Sequence, residues 1–234
     1  MTSTHAPRIN LLAIETSTEA CSVAVYAHGN IVSRHELAPR RHTQLVLPWA
    51  EELLAQAGLR KSQLDAIAVG RGPGAFTGVR LAIAIAQGLA LALDRPVLPV
   101  STLAVLAMQG QGDRVLAAID ARMGEVYVGE FLRNAHGAVS AMGTEQIVAP
   151  SMAMVPRHPV HGVGTGFSAD AGALVACLGE RLLGFDALAL PHAADLARLA
   201  ADAYARGEAL SPDQLEPAYL RDKVALTLVE QGKA

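Results

Sequence analysis

The chain reads as an α/β protein built from two copies of one strand-and-helix unit that face each other across a cleft. An apolar strand ending in an acid occurs twice, as Leu11-Leu12-Ala13-Ile14-Glu15 and as Val115-Leu116-Ala117-Ala118-Ile119-Asp120. Each copy leads through a polar turn into a second strand. Each unit later places a strand ahead of a glycine-rich loop, at 65–78 and again at 159–166.

Residues 9–14 form the first apolar strand, and Glu15-Thr16-Ser17-Thr18-Glu19 is its turn. Cys21, Val23 and Val25 then alternate with Ser22, Ala24 and Tyr26 as a second strand. His28-Gly29-Asn30 turns into a third at 31–37, whose Arg34 and Glu36 predict a wet face near a sheet edge. A helix over 43–57 puts Leu45, Val46, Trp49, Leu53 and Leu54 on one broad face and stops at Gly58, while Pro48 predicts a kink or a later first turn. After the glycine loop and its helix, 96–100 is another strand, and Ser101 or Thr102 is placed to cap a third helix.

In the second unit, strands fall at 126–131 and after His136-Gly137, then at the start of 159–166. Helices are expected at 170–178 and over 192–205, the latter stopped by Gly207. Each unit should therefore run strand-strand-strand-helix-strand-helix. The division expected is 1–110 for the lobe with the glycine loop and 111–234 for a smaller lobe, with room for the last helix to pack back on the first.

Between the strand at 65–69 and a helix at 79–93 lies Gly70-Arg71-Gly72-Pro73-Gly74-Ala75-Phe76-Thr77-Gly78. Gly72, Gly74 and Gly78 allow positive φ and close approach, and the free N–H groups opening the helix favour an anion, with phosphate the natural guest. Neither known phosphate pattern fits: a Walker loop needs Gly-Lys-Ser/Thr, and Thr77 stands where GxGxxG needs its third glycine. The glycines would otherwise serve only a tight strand-to-helix crossing. Arg80 opposes the helix dipole in a first turn, at a cost of up to about 1 kcal/mol, unless it meets a phosphate or pairs with Glu15 or Asp120.

The helix itself is apolar nearly all round, with alanines at 82, 84, 86, 90 and 92. It belongs either in its own core or with one face on the sheet and another on a second protein. At fewer than the roughly 20 residues of a bilayer span, it is not read as a membrane helix.

A net charge of −3 gives no chain-wide basic field for nucleic acid or anionic lipid, so any RNA would be held through something else. Cys21 and Cys177 are the only cysteines, which suits a reduced, cytoplasmic compartment, and 1–8 contain no apolar segment of the kind a secretory signal needs. The eight histidines form no HExxH, His158 and His161 read as loop residues, and no serine sits in GxSxG. No metal site is expected. Glu15 and Asp120, on opposed strand ends, leave open a metal-nucleotide site for an ATP-dependent phospho- or carbamoyl-transferase.

Ala13-Ile14-Glu15-Thr16-Ser17, His42-Thr43-Gln44-Leu45-Val46-Leu47-Pro48, the glycine loop with its helix, and Ala118-Ile119-Asp120-Ala121-Arg122 together closely resemble the TsaB (YeaZ) family of bacteria. The resemblance covers most of the first half and is loose beyond about residue 150. It implies duplicated ribonuclease H-like lobes of the actin/hexokinase/Hsp70-like fold, the second compact. It also implies a part in making threonylcarbamoyladenosine on transfer RNA, in which a larger relative, TsaD, performs the transfer and the ATPase TsaE assists.

TsaD-like enzymes bind a metal through HxxxH, and here Thr102 and Leu106 fall where those histidines should stand. The TsaD glycine turn is replaced by Asp120-Ala121-Arg122-Met123-Gly124. A non-catalytic paralogue with no catalytic residue and no required cofactor is therefore expected, and the older glycoprotease label finds no support. Its expected partner surface comprises Leu45, Trp49, Leu53, Leu81, Ile85, Ala86 and Leu89, where Ala86→Arg should block pairing without unfolding the chain. The same surface should form a homodimer when TsaD is absent, and transfer RNA would be met only through the complex. ATP or ADP, if bound in the cleft, would be met by Glu15, Thr16, Gly72, Gly74, Thr77, Gly78, Arg80, Asp120 and Arg122.

Overall fold

The computed structural model describes residues 9–221. The segment 1–8, examined above for a leader, and the end of the second lobe at 222–234 lie outside the described residues.

Leu11, Leu12, Ala13 and Ile14 are all buried because β1 (Asn10–Glu15) lies mid-sheet with both faces covered. It pairs antiparallel with β2 (Ala20–Ala27) and parallel with β4 (Ala66–Gly70). With β3 (Asn30–Leu37) and β5 (Val97–Val100) the order is β3-β2-β1-β4-β5. β3 is the edge, and Arg34 and Glu36 are exposed there.

Two helices cover one side of this sheet. α1 (His42–Gln56) buries Val46, Trp49, Ala50, Leu53 and Leu54, and α2 (Phe76–Leu93) buries Val79, Ala82, Ile83, Ala86 and Ala90. Pro48 lies inside α1 without ending it, since the Gln44 carbonyl that loses its donor is on an exposed residue that water reaches. α2 has 18 residues and a mean hydropathy of 1.7, long and apolar enough by length and composition to cross a membrane. Its place is nevertheless the crossover between parallel neighbours β4 and β5, with its alanine face on their sheet.

The second sheet repeats the first. β6 (Arg114–Arg122) is its central strand, antiparallel to β7 (Glu125–Arg133) and parallel to β10 (Val160–Val163). β8 (Val139–Ala141) and β9 (Gln146–Val148) both pair with β7, and β11 (Leu182–Asp186) pairs with β10 to give β11-β10-β6-β7-β8. The third strand is thus in two pieces, and β11 is an element the sequence pattern did not disclose.

Two expected helices differ. The one between third and fourth strands is only a 3-10 turn, Pro150–Met152, because Pro150, Pro156 and Pro159 remove amides that a helix would need. The one expected from 170 starts later, as α4 (Ala173–Leu178), because Asp170, Ala171 and Gly172 take left-handed φ of 46°, 53° and 81°.

The lobes exchange their final helices. α3 (Thr102–Ala107), with Ser101 as its cap, packs on β6 and β7, while α5 (Ala193–Ala205) packs on β1, β2 and β3. Leu103, Leu106, Leu196 and Ala200 therefore share one core that joins both sheets.

At the docking of α5, His192 stacks on His35 of β3 with ring centroids 3.7 Å apart and planes 14° apart. Burial, then the neighbouring His192, pushes His35 down to about 4; burial also lowers His192, against the nearby Asp195 carboxylate, which raises it. Both rings are neutral in the folded chain at pH 7, whereas the unfolded chain takes up protons near pH 6.5. Stability should then be complete above pH 6.5 and fall as pH drops from 6.5 towards 4. Solvent screening of the partly exposed His35 limits its share to roughly 1 kcal/mol. His35→Gln should flatten that slope in urea unfolding measured across this range.

Candidate functional site

Glu15 ends β1 but does not face the cleft as expected. It is buried, its Oε1 accepts from the Ser17 amide at 2.7 Å and from the Ser17 hydroxyl, and its Oε2 accepts from Thr102 Oγ1 at 3.3 Å. Burial holds its pKa above the ordinary carboxylate value, and these hydrogen bonds offset only part of that rise. Ser17 Oγ and Thr102 Oγ1 are themselves 2.9 Å apart. The carboxyl thus ties the β1–β2 turn to Thr102, the first residue of α3.

The glycine loop lies against the same turn. A Cβ on Gly78 would overlap the Thr16 carbonyl oxygen, and one on Gly74 would overlap that of Ser17. Ala75 N donates to Ser17 O at 2.7 Å, and Thr16 Oγ1 donates to Gly78 O at 2.7 Å. Gly72 takes φ of 92° and its carbonyl accepts from Thr102 N at 2.9 Å. These glycines serve close passage of two backbones, and the Ser17 carbonyl occupies the amide at the helix entry. Thr77 is exposed.

Asp120 does reach the cleft. Its carboxylate accepts from the Arg122 amide and guanidinium, both at 2.7 Å, and its own amide donates to Thr165 Oγ1 at 3.1 Å. It thereby closes a β6–β7 turn in which Arg122, Met123 and Gly124 take φ of 63°, 58° and 75°. Glu15 and Asp120 are therefore not an opposed acid pair. Among the described residues no three of His, Cys, Asp and Glu converge as metal ligands.

Arg80 meets neither acid. α2 starts at Phe76, so Arg80 falls in the second turn, where its guanidinium lies 3.2 Å from the centre of the Phe76 ring and 5.1 Å from that of Tyr219. The cation is held by aromatic faces, which removes both expected partners from its account.

Ser17, Gly74, Phe76, Asp120, Met123 and Thr165 line an interlobe cleft of about 330 Å³ together with residues 218–221. Those last residues belong to a strap that runs from Leu210 to Arg221. Leu210 exchanges backbone hydrogen bonds with Val97, Gln87 Nε2 donates to the carbonyls of Pro212 and Leu215, and Leu215 is buried. Ala218 N then donates to Arg71 O at 2.8 Å, and the Arg221 guanidinium reaches Glu125 at 2.6 Å and the carbonyls of Ala121 and Arg122. Buried Leu215 after Pro212 was its one visible signal.

The expected partner surface divides. Trp49, Leu53 and Ala86 are buried at 6%, 1% and 0% exposure, so they face the sheet, and Ala86→Arg would put a lone cation in the core. Leu45, Leu81, Ile85 and Leu89 are half-buried. The outward face of α2 is instead Ala84, Gly88, Leu91 and Ala92, beyond Thr77 and Arg80. Leu91 is 69% exposed, and a Cβ on Gly88 would meet nothing within 4 Å.

Two sheets of the same strand order, with final helices exchanged across a cleft, define the chain as a two-lobed protein of the actin/hexokinase/Hsp70-like class. The family model described as TsaD, tRNA N6-adenosine threonylcarbamoyltransferase, matches residues 30–227. The chain is 42% identical over 230 residues to the tRNA threonylcarbamoyladenosine biosynthesis protein TsaB of Escherichia coli (strain K12), covering 93% of this chain and 96% of that one. The TsaB of Haemophilus influenzae is 42% identical over 229 residues, covering 92% and 95%. The solved structure of YeaZ from Pseudomonas aeruginosa is similar at a TM-score of 0.83 and 47% identity, covering 91% of this chain and all of that one. The chain belongs to the TsaB (YeaZ) family, whose curated relatives here are named for threonylcarbamoyladenosine biosynthesis.

Gly78→Ala should lower stability by about 2–4 kcal/mol, because the added methyl meets the Thr16 carbonyl. Gly88→Ala, in open space on the same helix, should raise it by about 0.5–1 kcal/mol. Denaturant unfolding of the two variants measures both, and equal effects would contradict the backbone contact.

Proposed function

We propose that the chain is the non-catalytic partner subunit of a TsaD-like threonylcarbamoyltransferase, binding and positioning it, with a TsaE-like ATPase, for modification of adenosine 37 in transfer RNA. The outward face of α2 is the observation that carries this reading. Ala84, Gly88 and Ala92 are small, Leu91 is 69% exposed, and among the described residues no part of the core uses them. A helix with such a face permits another to approach to about 8 Å, the close end of helix packing. The match to a TsaD family model over most of the chain supports a paralogous partner of similar fold.

Support for the non-catalytic role comes from the residues at the transferase's metal position. Thr102 and Leu106 are fully buried, the first in the Glu15 clasp and the second in the shared core. In this reading ATP or ADP acts at the complex, transfer RNA is met through TsaD, and the chain works in the cytoplasm. Without its partner, the same face of α2 pairs with a second copy.

Ala84→Arg places a cation on that exposed face and leaves the core untouched. Its thermal midpoint should stay within about 2 °C of the unmodified chain, while affinity for the TsaD-like protein, read by calorimetry, falls a hundredfold or more, or about 2.7 kcal/mol. Retained pairing excludes this face.

A further inference from the structure

In the first lobe, α1 lies over β2 and buries Cys21, Val23 and Val25 beneath Val46, Trp49 and Leu53. The corresponding strand of the second lobe is β7, the second of its meander, and there the proline-punctuated stretch 149–159 replaces the helix. What is left is a groove of about 480 Å³. Leu116 and Val128, both buried, form its floor, and Met142, Met154 and Val155 its walls. The Arg114–Glu130 ion pair, at 3.2 Å, also lines it.

The stretch that replaces the helix is itself apolar and exposed. Met152 and Met154 are 77% and 74% exposed, and Val155 is 45% exposed. Met154 and Val155 line the groove yet stand exposed, so an occupant that covers them extends beyond the groove itself. Methionine, unbranched and polarisable, adapts to such an occupant.

Charge sets the occupant's character. In the first lobe the helix contributes acids that meet cations: Glu52 pairs with Arg34 at 2.7 Å and Glu51 with Lys61 at 2.6 Å. On the second lobe the exposed Arg157 lines the groove, and among the described ion pairs it takes no part.

We propose that this groove docks an amphipathic helix of a protein partner, apolar along one stripe and acidic where it meets Arg157, in the place that α1 takes in the first lobe. The surface lies on the second lobe, apart from the α2 face, and does not rest on the pairing proposed above.

The probe is a fluorescein-labelled peptide with the sequence of α1, His42–Gln56, carrying Ala for Pro48 to raise its helicity, added to the full chain. Fluorescence anisotropy should give saturable binding that Met154→Asp and Arg157→Glu each weaken tenfold or more. Reversing Glu51 and Glu52 of the peptide to Lys should weaken it similarly, and Ala84→Arg in the chain should leave it unchanged. Melting curves establish that the variants, all at exposed positions, remain folded. Absence of saturable binding, or binding that survives Met154→Asp and Arg157→Glu, would overturn the proposal.

Discussion

The site depends on two backbones passing within touching distance. Where Thr16 and Ser17 run beneath Gly74 and Gly78, no side chain fits between them, and each strand supplies the other's hydrogen-bond partner. Glu15 anchors one side of that contact from within the protein, through Ser17 and Thr102. The direction of α2, the entry of α3 and the first-lobe wall of the cleft all follow from it. A loop that looks made for phosphate is largely engaged in holding the lobe together.

Duplication supplies the architecture and its departures supply the surfaces. The lobes share strand order and exchange final helices, which locks them through one core. Among the described residues, only the first has a full helix between its third and fourth strands and a long apolar crossover helix. Its excess of apolar surface is displayed outward on α2, while the second lobe displays a groove where its counterpart lacks cover. The strap from Leu210 to Arg221 returns through the first lobe and reaches the β6–β7 turn, so the chain's own backbone narrows the cleft.

Strands with one clear apolar run were legible in the sequence, as were the wet edge at Arg34 and the cap at Ser101. The phase of α2 was not. With alanine or leucine on every side, periodicity cannot tell Ala84 from Ala86, yet one is exposed and the other buried. Glu15 and Asp120 look alike at the ends of similar strands, and their fates differ because Thr102 lies 87 residues along the chain from the first, whereas Arg122 lies two from the second. Arg80 was misread because the helix starts three residues earlier than its apolar pattern, which puts Phe76 one turn below it. The strap left little trace, since apart from Leu215 and Arg221 it is held through its own backbone amides and carbonyls, which need no particular side chain.

The most direct test of a non-catalytic partner is an omission assay: transfer of labelled threonine to unmodified transfer RNA by the reconstituted set, with and without this chain. A second reaction contains this chain and the enzyme that makes the threonylcarbamoyl-adenylate, but no TsaD-like protein. The account predicts incorporation by the full set, its loss when this chain is left out, and none from the reduced pair. Incorporation by the reduced pair, or full activity without this chain, would contradict it.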